Sequence, residues 1–72
     1  MDKLKFDKLE GMVDNLIKAA AAKYPDDEEL HIEQDYIYEL TLEAIMNGVD
    51  NPTAWAACAL RIRDVDFSRW YA

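Results

Sequence analysis

The 72-residue sequence contains one cysteine, one histidine, two glycines and two prolines, and these shortages limit what the chain can be. A lone Cys58 excludes a disulfide within the chain, and a single thiol without a secretion signal fits a reducing compartment. Because glycine and proline are the residues that most often interrupt helices, their scarcity favours long helices. We therefore expect a cytoplasmic, largely helical protein.

Long apolar runs are also missing. No run approaches the roughly 20 residues that a membrane-spanning helix needs. Asp2, Asp7 and Glu10 interrupt the apolar core that a signal peptide would require near the N-terminus. We therefore predict a chain without a signal peptide and without a membrane partner, and its length leaves room for a single domain.

Residues suited to catalysis and cofactor binding are scarce as well. Cys58 flanks an apolar stripe with no histidine near it in sequence, which favours a small buried hydrophobe over a reactive thiol. Ser68 and Thr41 lack the motif of a nucleophilic hydroxyl, and two isolated glycines cannot form a phosphate-binding loop. We predict no catalytic residue and no cofactor, so the protein is not expected to be an enzyme.

One short segment, residues 28–31, has the Glu-x-x-His spacing that bundle di-iron sites use. Glu28 and His31 would lie on one helical face, but a complete site needs glutamates from facing helices. Glu10 would lie far from Glu28 in an antiparallel helix pair. The main prediction is therefore no metal site, and the alternative is a dimeric, ferroxidase-like protein in which each chain supplies half of the ligands.

Two breaks, at residues 24–27 and 47–52, combine helix-stopping with helix-starting residues. The elements predicted between and after them are helices over about residues 3–23, 27–47 and 52–63 and a short turn over 66–71. We expect an all-α fold, a compact three-helix bundle in which the second helix is central and packs on the other two.

Capping residues support these boundaries. Asp26 with Glu29 three residues later resembles a capping box, and Gly48 can adopt the left-handed conformation that ends a helix. Asn51 is predicted to cap the third helix, with Pro52 at its first position.

Apolar residues at three- and four-residue steps predict the core. The expected core residues of the three helices in turn are Phe6, Leu9, Val13, Leu16, Ile17 and Ala20, then Leu30, Ile37, Thr41, Ala44 and Ile45, then Trp55, Ala59 and Ile62. In the second helix Tyr36 and Leu40 are expected to widen the apolar face on one side, and Tyr38 and Leu42 on the other.

Charge is the most unevenly distributed property of the sequence. The net charge is −7, and nine acids but no lysine or arginine lie between Tyr24 and Leu60. Asp35, Glu39 and Glu43 recur every four residues opposite the apolar face of the second helix. Like charges at this spacing repel by a few tenths of a kcal/mol each. A sequence shaped only for stability would more often place a lysine among them.

Two interpretations of these acids, with Glu28 continuing their line, remain open. They form a solvated face, partly neutralised by lysines of the first helix and arginines after the third, or they bind a basic protein surface. Direct contact with nucleic acid is disfavoured, because phosphates would be repelled. Mimicry of nucleic acid is a special case, but about one acid per 4 Å of helix is dilute beside one charge per 1.7 Å of duplex DNA.

The C-terminal aromatics allow two roles. Phe67, Trp70 and Tyr71 either close the small core or form an exposed anchor, and Trp is among the residue types that dominate interface energetics. The residues predicted to bind the partner are Glu28, Asp35, Glu39, Glu43, Trp70 and Tyr71.

The leading functional hypothesis is a non-enzymatic interaction module, a monomer or homodimer, that inhibits or regulates a protein with a basic surface, including one that binds nucleic acid. Accessory proteins of phages and prophages and immunity proteins act in this way, which is a general precedent and not a property of these residues. The alternative is a homo-oligomeric structural protein joined through Ile32, Tyr36, Met46 or the C-terminal aromatics.

Overall fold

Three helices form the protein, which we describe from a computed structural model over residues 2–22 and 26–65, with the backbone alone for residues 2–4. The helices are α1 (Asp2–Ala20), α2 (Asp27–Met46) and α3 (Pro52–Leu60), and a 3₁₀ turn over Arg61–Asp64 continues α3. The described residues contain no strand. The predicted all-α, three-helix architecture is therefore confirmed.

The helices form a closed triangle, because each one packs on the other two. α2 packs on both neighbours as predicted, but α1 also packs directly on α3. The rings of Phe6 and Trp55 join these two helices, with centroids 5.8 Å apart and planes inclined by 60°. Tilted aromatic pairs at this distance contribute about 0.5–1.5 kcal/mol beyond the burial of their area.

The predicted apolar stripes supply the core. The buried apolar side chains are Leu9, Val13, Leu16, Leu30, Ile37, Trp55, Cys58, Ala59 and Ile62. Thr41 is buried among them and donates its hydroxyl to the carbonyl of Ile37 at 2.8 Å, so its polar group is satisfied within its own helix. Within the described part of the chain, no helix is long and apolar enough to cross a membrane.

The apolar arc of α2 is narrower than the sequence predicts. Leu40 and Tyr38 are partly buried against the core, but Tyr36 and Leu42 are exposed. Since α1 and α3 also contact each other, they approach α2 over a restricted arc. The prediction that Tyr36 and Leu42 extend the core-facing surface is therefore wrong.

Both ends of α2 are capped as predicted. A side-chain oxygen of Asp26 accepts a hydrogen bond from the backbone N–H of Glu29 at 3.2 Å. At the other end Gly48 has a φ of +80°, and the N–H groups of Gly48 and Val49 bond to the carbonyls of Ile45 and Ala44. This pair of bonds is the Schellman arrangement, which satisfies carbonyls that the helix leaves unpaired.

Two other predicted helix ends need correction. α1 ends at Ala20 and not at residue 23, because its last turn tightens. The N–H of Ala22 bonds to the carbonyl of Ala19, three residues back, at 3.2 Å. α3 ends at Leu60 and not at residue 63, since the chain continues as the 3₁₀ turn. The predicted turn over residues 66–71 lies outside the described residues.

The start of α3 differs in mechanism from the prediction. Asn51 has a φ of +56°, in the left-handed region, and its side chain makes no capping hydrogen bond. The residue before a proline is disfavoured in the right-handed helical region, and asparagine tolerates the left-handed one better than most residues. The carbonyl of Asn51 instead accepts a bond from the N–H of Ala54 at 3.0 Å, so the backbone closes the first turn.

The two glycines provide a matched test of the α2 terminus. Neither position has a neighbouring atom within 4 Å of an added Cβ, so an alanine meets no steric obstacle at either. Gly48→Ala is expected to destabilise the protein by about 1–2 kcal/mol, because it forces alanine into the left-handed conformation. Gly11→Ala, within α1, should stabilise it by up to about 1 kcal/mol. Chemical denaturation of both variants measures these effects, and a destabilising Gly11→Ala would contradict the account of α1.

Candidate protein-interaction surface

The acids singled out by the sequence lie on the outer face of α2. Asp35, Glu39 and Glu43 are all exposed, as is Glu28. At about 100° per residue these four positions fall within a 80° arc, roughly opposite the buried Ile37. We call these four residues the acidic strip. At a rise of 1.5 Å per residue it extends over about 22 Å of helix.

Arg61 and Arg63, the described arginines near the end of α3, form no ion pair with the strip. Arg61 donates to a carboxylate oxygen of Asp14 on α1 at 2.8 Å, and this bond raises the pKa of the arginine. The Nε atom of Arg63 lies 4.0 Å from the carboxylate oxygen Oδ1 of Asp64. Among the described residues, no ion pair involves a member of the acidic strip. The negative charge of the strip is therefore open to solvent or to a partner.

Two described lysines of α1 lie near the C-terminal end of the strip. Lys5 and Lys8 line a pocket of about 260 Å³ that Glu43 and Trp55 also line. Along the arc Glu43 is the strip residue closest to α1, whereas Asp35 leans toward α3. Within the described residues, Glu43 is therefore the strip member that shares a pocket with lysines of α1.

Three other acids lie near the start of α2, and they share a pocket of about 310 Å³ with the strip residue Glu28 and with Ile32. Asp26, Glu29 and Glu33 line a pocket of about 440 Å³ against α1, together with Met12 and Leu16. The four carboxylates of the strip are on average about 7 Å apart along the helix axis. This spacing is wider than the one acid per 4 Å inferred from the sequence, so the exposed face is less like a nucleic-acid backbone.

Large apolar side chains are exposed between the acids. Ile32, Tyr36 and Met46 are 61%, 52% and 76% exposed and lie on the same outer face of α2 as the strip. A face kept only for solvation would not need them. The sequence analysis names these three residues as contacts in the homo-oligomer alternative. Only the fold shows that they lie on the same face as the acids.

An apolar groove runs along one side of this face, between α2 and α3. Its volume is about 370 Å³, and its walls include Tyr38, Leu42 and Ile45 from α2 and Ala56 and Leu60 from α3. Leu42 and Leu60 are 66% and 43% exposed. Sequence reasoning missed this groove because it exists only where two helices meet.

The Glu-x-x-His segment does not form part of a metal site within the described chain. Glu28 is exposed and His31 is partly buried. Over residues 2–22 and 26–65 no group of three or more histidine, cysteine, aspartate or glutamate side chains is arranged to hold a metal ion. A half-site built on Glu28 and His31 would need ligands from a second chain.

Cys58 is buried on α3, where burial raises the pKa of its thiol above the ordinary value. A higher pKa leaves less thiolate at neutral pH, and the thiolate is the reactive form. We expect native protein to react with a thiol reagent much more slowly than unfolded protein, and Cys58→Ser to change stability only modestly. Rapid stoichiometric labelling of the native protein at neutral pH would contradict this expectation.

The repulsion within the strip can be measured directly. Glu39→Lys places a cation four residues from both Asp35 and Glu43, so it replaces two repulsive pairs with two attractive ones. Each exposed pair changes the stability by a few tenths of a kcal/mol. We expect the variant to be more stable than wild type by about 0.5–1 kcal/mol at low salt, with the difference shrinking as salt is added. A loss of stability would show that Glu39 has a structural role.

Trp70 and Tyr71, the other predicted partner-binding residues, lie outside the described residues, as does Phe67. Their placement in the core or at an interface stays a prediction.

Comparison of the sequence with protein-family models, of the sequence with curated proteins and of the fold with solved structures found no match.

Proposed function

We propose that this protein is a non-enzymatic interaction module that binds a basic surface of another protein through the outer face of α2 and thereby inhibits or regulates that protein. The observation that supports this proposal is the acidic strip, which forms no ion pair within the described residues and has Ile32, Tyr36 and Met46 exposed among its carboxylates. Solvation alone does not account for acids without a basic neighbour in the same helix, nor for the exposed apolar side chains.

The two kinds of side chain have complementary effects on binding. Exposed charges of one sign attract an oppositely charged surface and speed the encounter, and this effect weakens with salt. Apolar contacts at the centre of an interface supply most of the affinity. A face that combines both fits a partner on which lysines or arginines surround apolar residues.

Self-association through this face is the less favoured alternative. A symmetric dimer would bring two acidic strips together, and like charges placed across an interface cost several kcal/mol. The net charge of −7 adds to this repulsion. Nucleic-acid mimicry is also less favoured, since carboxylates about 7 Å apart do not reproduce the charge density of a duplex.

The proposal is tested by capture from an extract of the native host with three forms of the protein as bait. Wild type is compared with the strip variant, Asp35→Lys/Glu39→Lys/Glu43→Lys, and with a control variant, Asp7→Lys/Glu33→Lys/Asp64→Lys, in which exposed acids outside the strip are reversed. In both variants three reversals of two charges each take the net charge from −7 to −1.

We expect a protein with a basic surface to be captured by wild type and by the control variant, to be lost with the strip variant, and to elute with salt. If both variants lose capture to the same extent, total charge, and not the strip, determines binding. Capture that is indifferent to all six substitutions would contradict the proposal.

A further inference from the structure

The apolar groove between α2 and α3 points to the kind of partner segment that this face accepts. We infer that it binds an amphipathic helix of the partner, with apolar side chains in the groove and basic side chains against Asp35 and Glu39. This inference rests on the proposed function and specifies its ligand.

The groove is open because α3 is built from small residues where it faces α2. Ala56 and Ala59 leave the space between the helices unfilled, and Tyr38, Leu42 and Leu60 form the walls. Two polar residues also line it. The hydroxyl of Thr41 is already bonded to the carbonyl of Ile37, and the side chain of Arg63 is 68% exposed, so its guanidinium stays in contact with water. Apolar side chains can therefore enter without leaving a polar group of the groove desolvated and unpaired.

The dimensions of the groove fit a short helical segment. Its α2 residues run from Tyr38 to Ile45, which is about 10 Å or two turns of helix. Apolar residues at i, i+3 or i+4 and i+7 of a docked helix span the same length, and this is the usual way in which a helix anchors in a groove.

Charge determines which helix fits. Leu42, the outermost wall residue of α2, lies about 20° of arc from Asp35 and about 60° from Glu39. The side chains that flank the apolar stripe on the α2 side of a docked helix would therefore meet these two carboxylates, whereas those on the other side would meet Arg63. Lysine or arginine on the α2 side is attracted, whereas glutamate or aspartate there is repelled.

The same charges disfavour other occupants. A second copy of this chain would bring its own acidic strip beside the first. A membrane surface that contains anionic lipids would present phosphates to the carboxylates. A helix of another protein with basic side chains on the flank that faces α2, away from Arg63, satisfies both the apolar groove and the acids of α2.

The experiment uses two synthetic peptides of about 18 residues, or five helical turns. Both contain the same leucines, lysines and alanines, but in one the leucines form a single helical stripe and in the other they are scrambled. Affinities are measured by calorimetry and NMR for the full chain, the strip variant, a groove variant (Leu42→Gln/Leu60→Gln) and an outer-face variant (Ile32→Gln/Met46→Gln). All four apolar residues are exposed, so neither glutamine variant is expected to disturb the core.

We expect the striped peptide to bind wild type more tightly than the scrambled one. The groove variant should lose about tenfold or more of the affinity for the striped peptide, because two leucine contacts are removed, and little of that for the scrambled peptide. The strip variant should bind both peptides weakly. Nuclear Overhauser contacts between the methyl groups of Leu42 or Leu60 and the peptide leucines should be observed.

Other outcomes separate the two proposals. If both peptides bind equally and only the outer-face variant loses affinity, the groove inference is wrong and the proposed function stands. If neither peptide binds in a salt-dependent way, the proposed function fails as well. Methyl contacts from Leu42 and Leu60 to residues 66–72 of the same chain, or a dimer that the groove variant abolishes, would show that the groove already has another occupant.

Discussion

Trp55→Ala will lower the free energy of unfolding by about 3–5 kcal/mol, the loss typical of a truncated buried tryptophan. Trp55 is 3% exposed, lies on the same stripe of α3 as Ala59 and contacts the ring of Phe6 on α1. The substitution therefore removes both core volume and the aromatic contact between α1 and α3. A domain of this size has a stability of roughly 4–11 kcal/mol, so the loss is a large share of the total.

Thermal unfolding followed by circular dichroism measures this effect, and we expect the midpoint to fall by more than about 10 °C. Tyr36→Ala is the matched control, since it removes an aromatic side chain that is 52% exposed and should change the midpoint little. A Phe6→Ala/Trp55→Ala double-mutant cycle isolates the ring contact. A midpoint for Trp55→Ala within a few degrees of wild type would contradict the packing of α3.

Reversal of Asp35, Glu39 and Glu43 to lysine will reduce the affinity for the partner, mainly by slowing association. Electrostatic attraction of this kind raises association rates by about 10- to 1,000-fold, so the strip variant should lose an effect of that order. The fold should stay intact, because the three side chains are exposed and make no hydrogen bond or ion pair within the described residues.

The control variant separates position from total charge. Asp7, Glu33 and Asp64 are exposed acids outside the strip, and their reversal gives the same net charge of −1. If the strip contacts the partner, the control variant should keep most of the association rate while the strip variant loses it. Because the long-range field depends on all charges, a small loss in the control variant is expected as well.

Much of the fold could be predicted from the sequence because local rules and tertiary packing agree. The stripe of Leu9, Val13 and Leu16 is buried. Asp26 caps the start of α2 and Gly48 ends the helix, each by the mechanism that its residue type favours. These features depend on neighbours within one helical turn, which is the range over which sequence patterns are informative.

The incorrect predictions have two causes, packing between distant parts of the chain and competition between local preferences. Tyr36 and Leu42 extend the apolar pattern of α2, but the direct packing of α1 on α3 leaves them without neighbours in the core. Asn51 has the residue type of an N-cap, but asparagine also tolerates the left-handed region, and that is the conformation it adopts. When two local preferences compete, residue type alone does not predict which conformation is adopted.

The exposed face of α2 was predicted in part. The periodicity of the acids placed the strip on the exposed face of α2, but the sequence did not show that Arg61 is already engaged by Asp14. The apolar groove was not predicted at all, because its walls come from residues 38–45 and 56–60, which belong to different helices. Pairing and grooves are tertiary properties, whereas the periodicity of the acids is a property of one helix.

The central claim is that the acidic strip attracts a basic partner, and its most direct test is the association rate of the captured partner as a function of ionic strength. For wild type and the control variant the rate should fall steeply as salt is added, because screening shortens the range of the strip's field to about 8 Å at physiological ionic strength. For the strip variant the rate should be low at every salt concentration and nearly flat. Equal rates for wild type and a folded strip variant, with no dependence on salt, would show that the strip is only a solvated face.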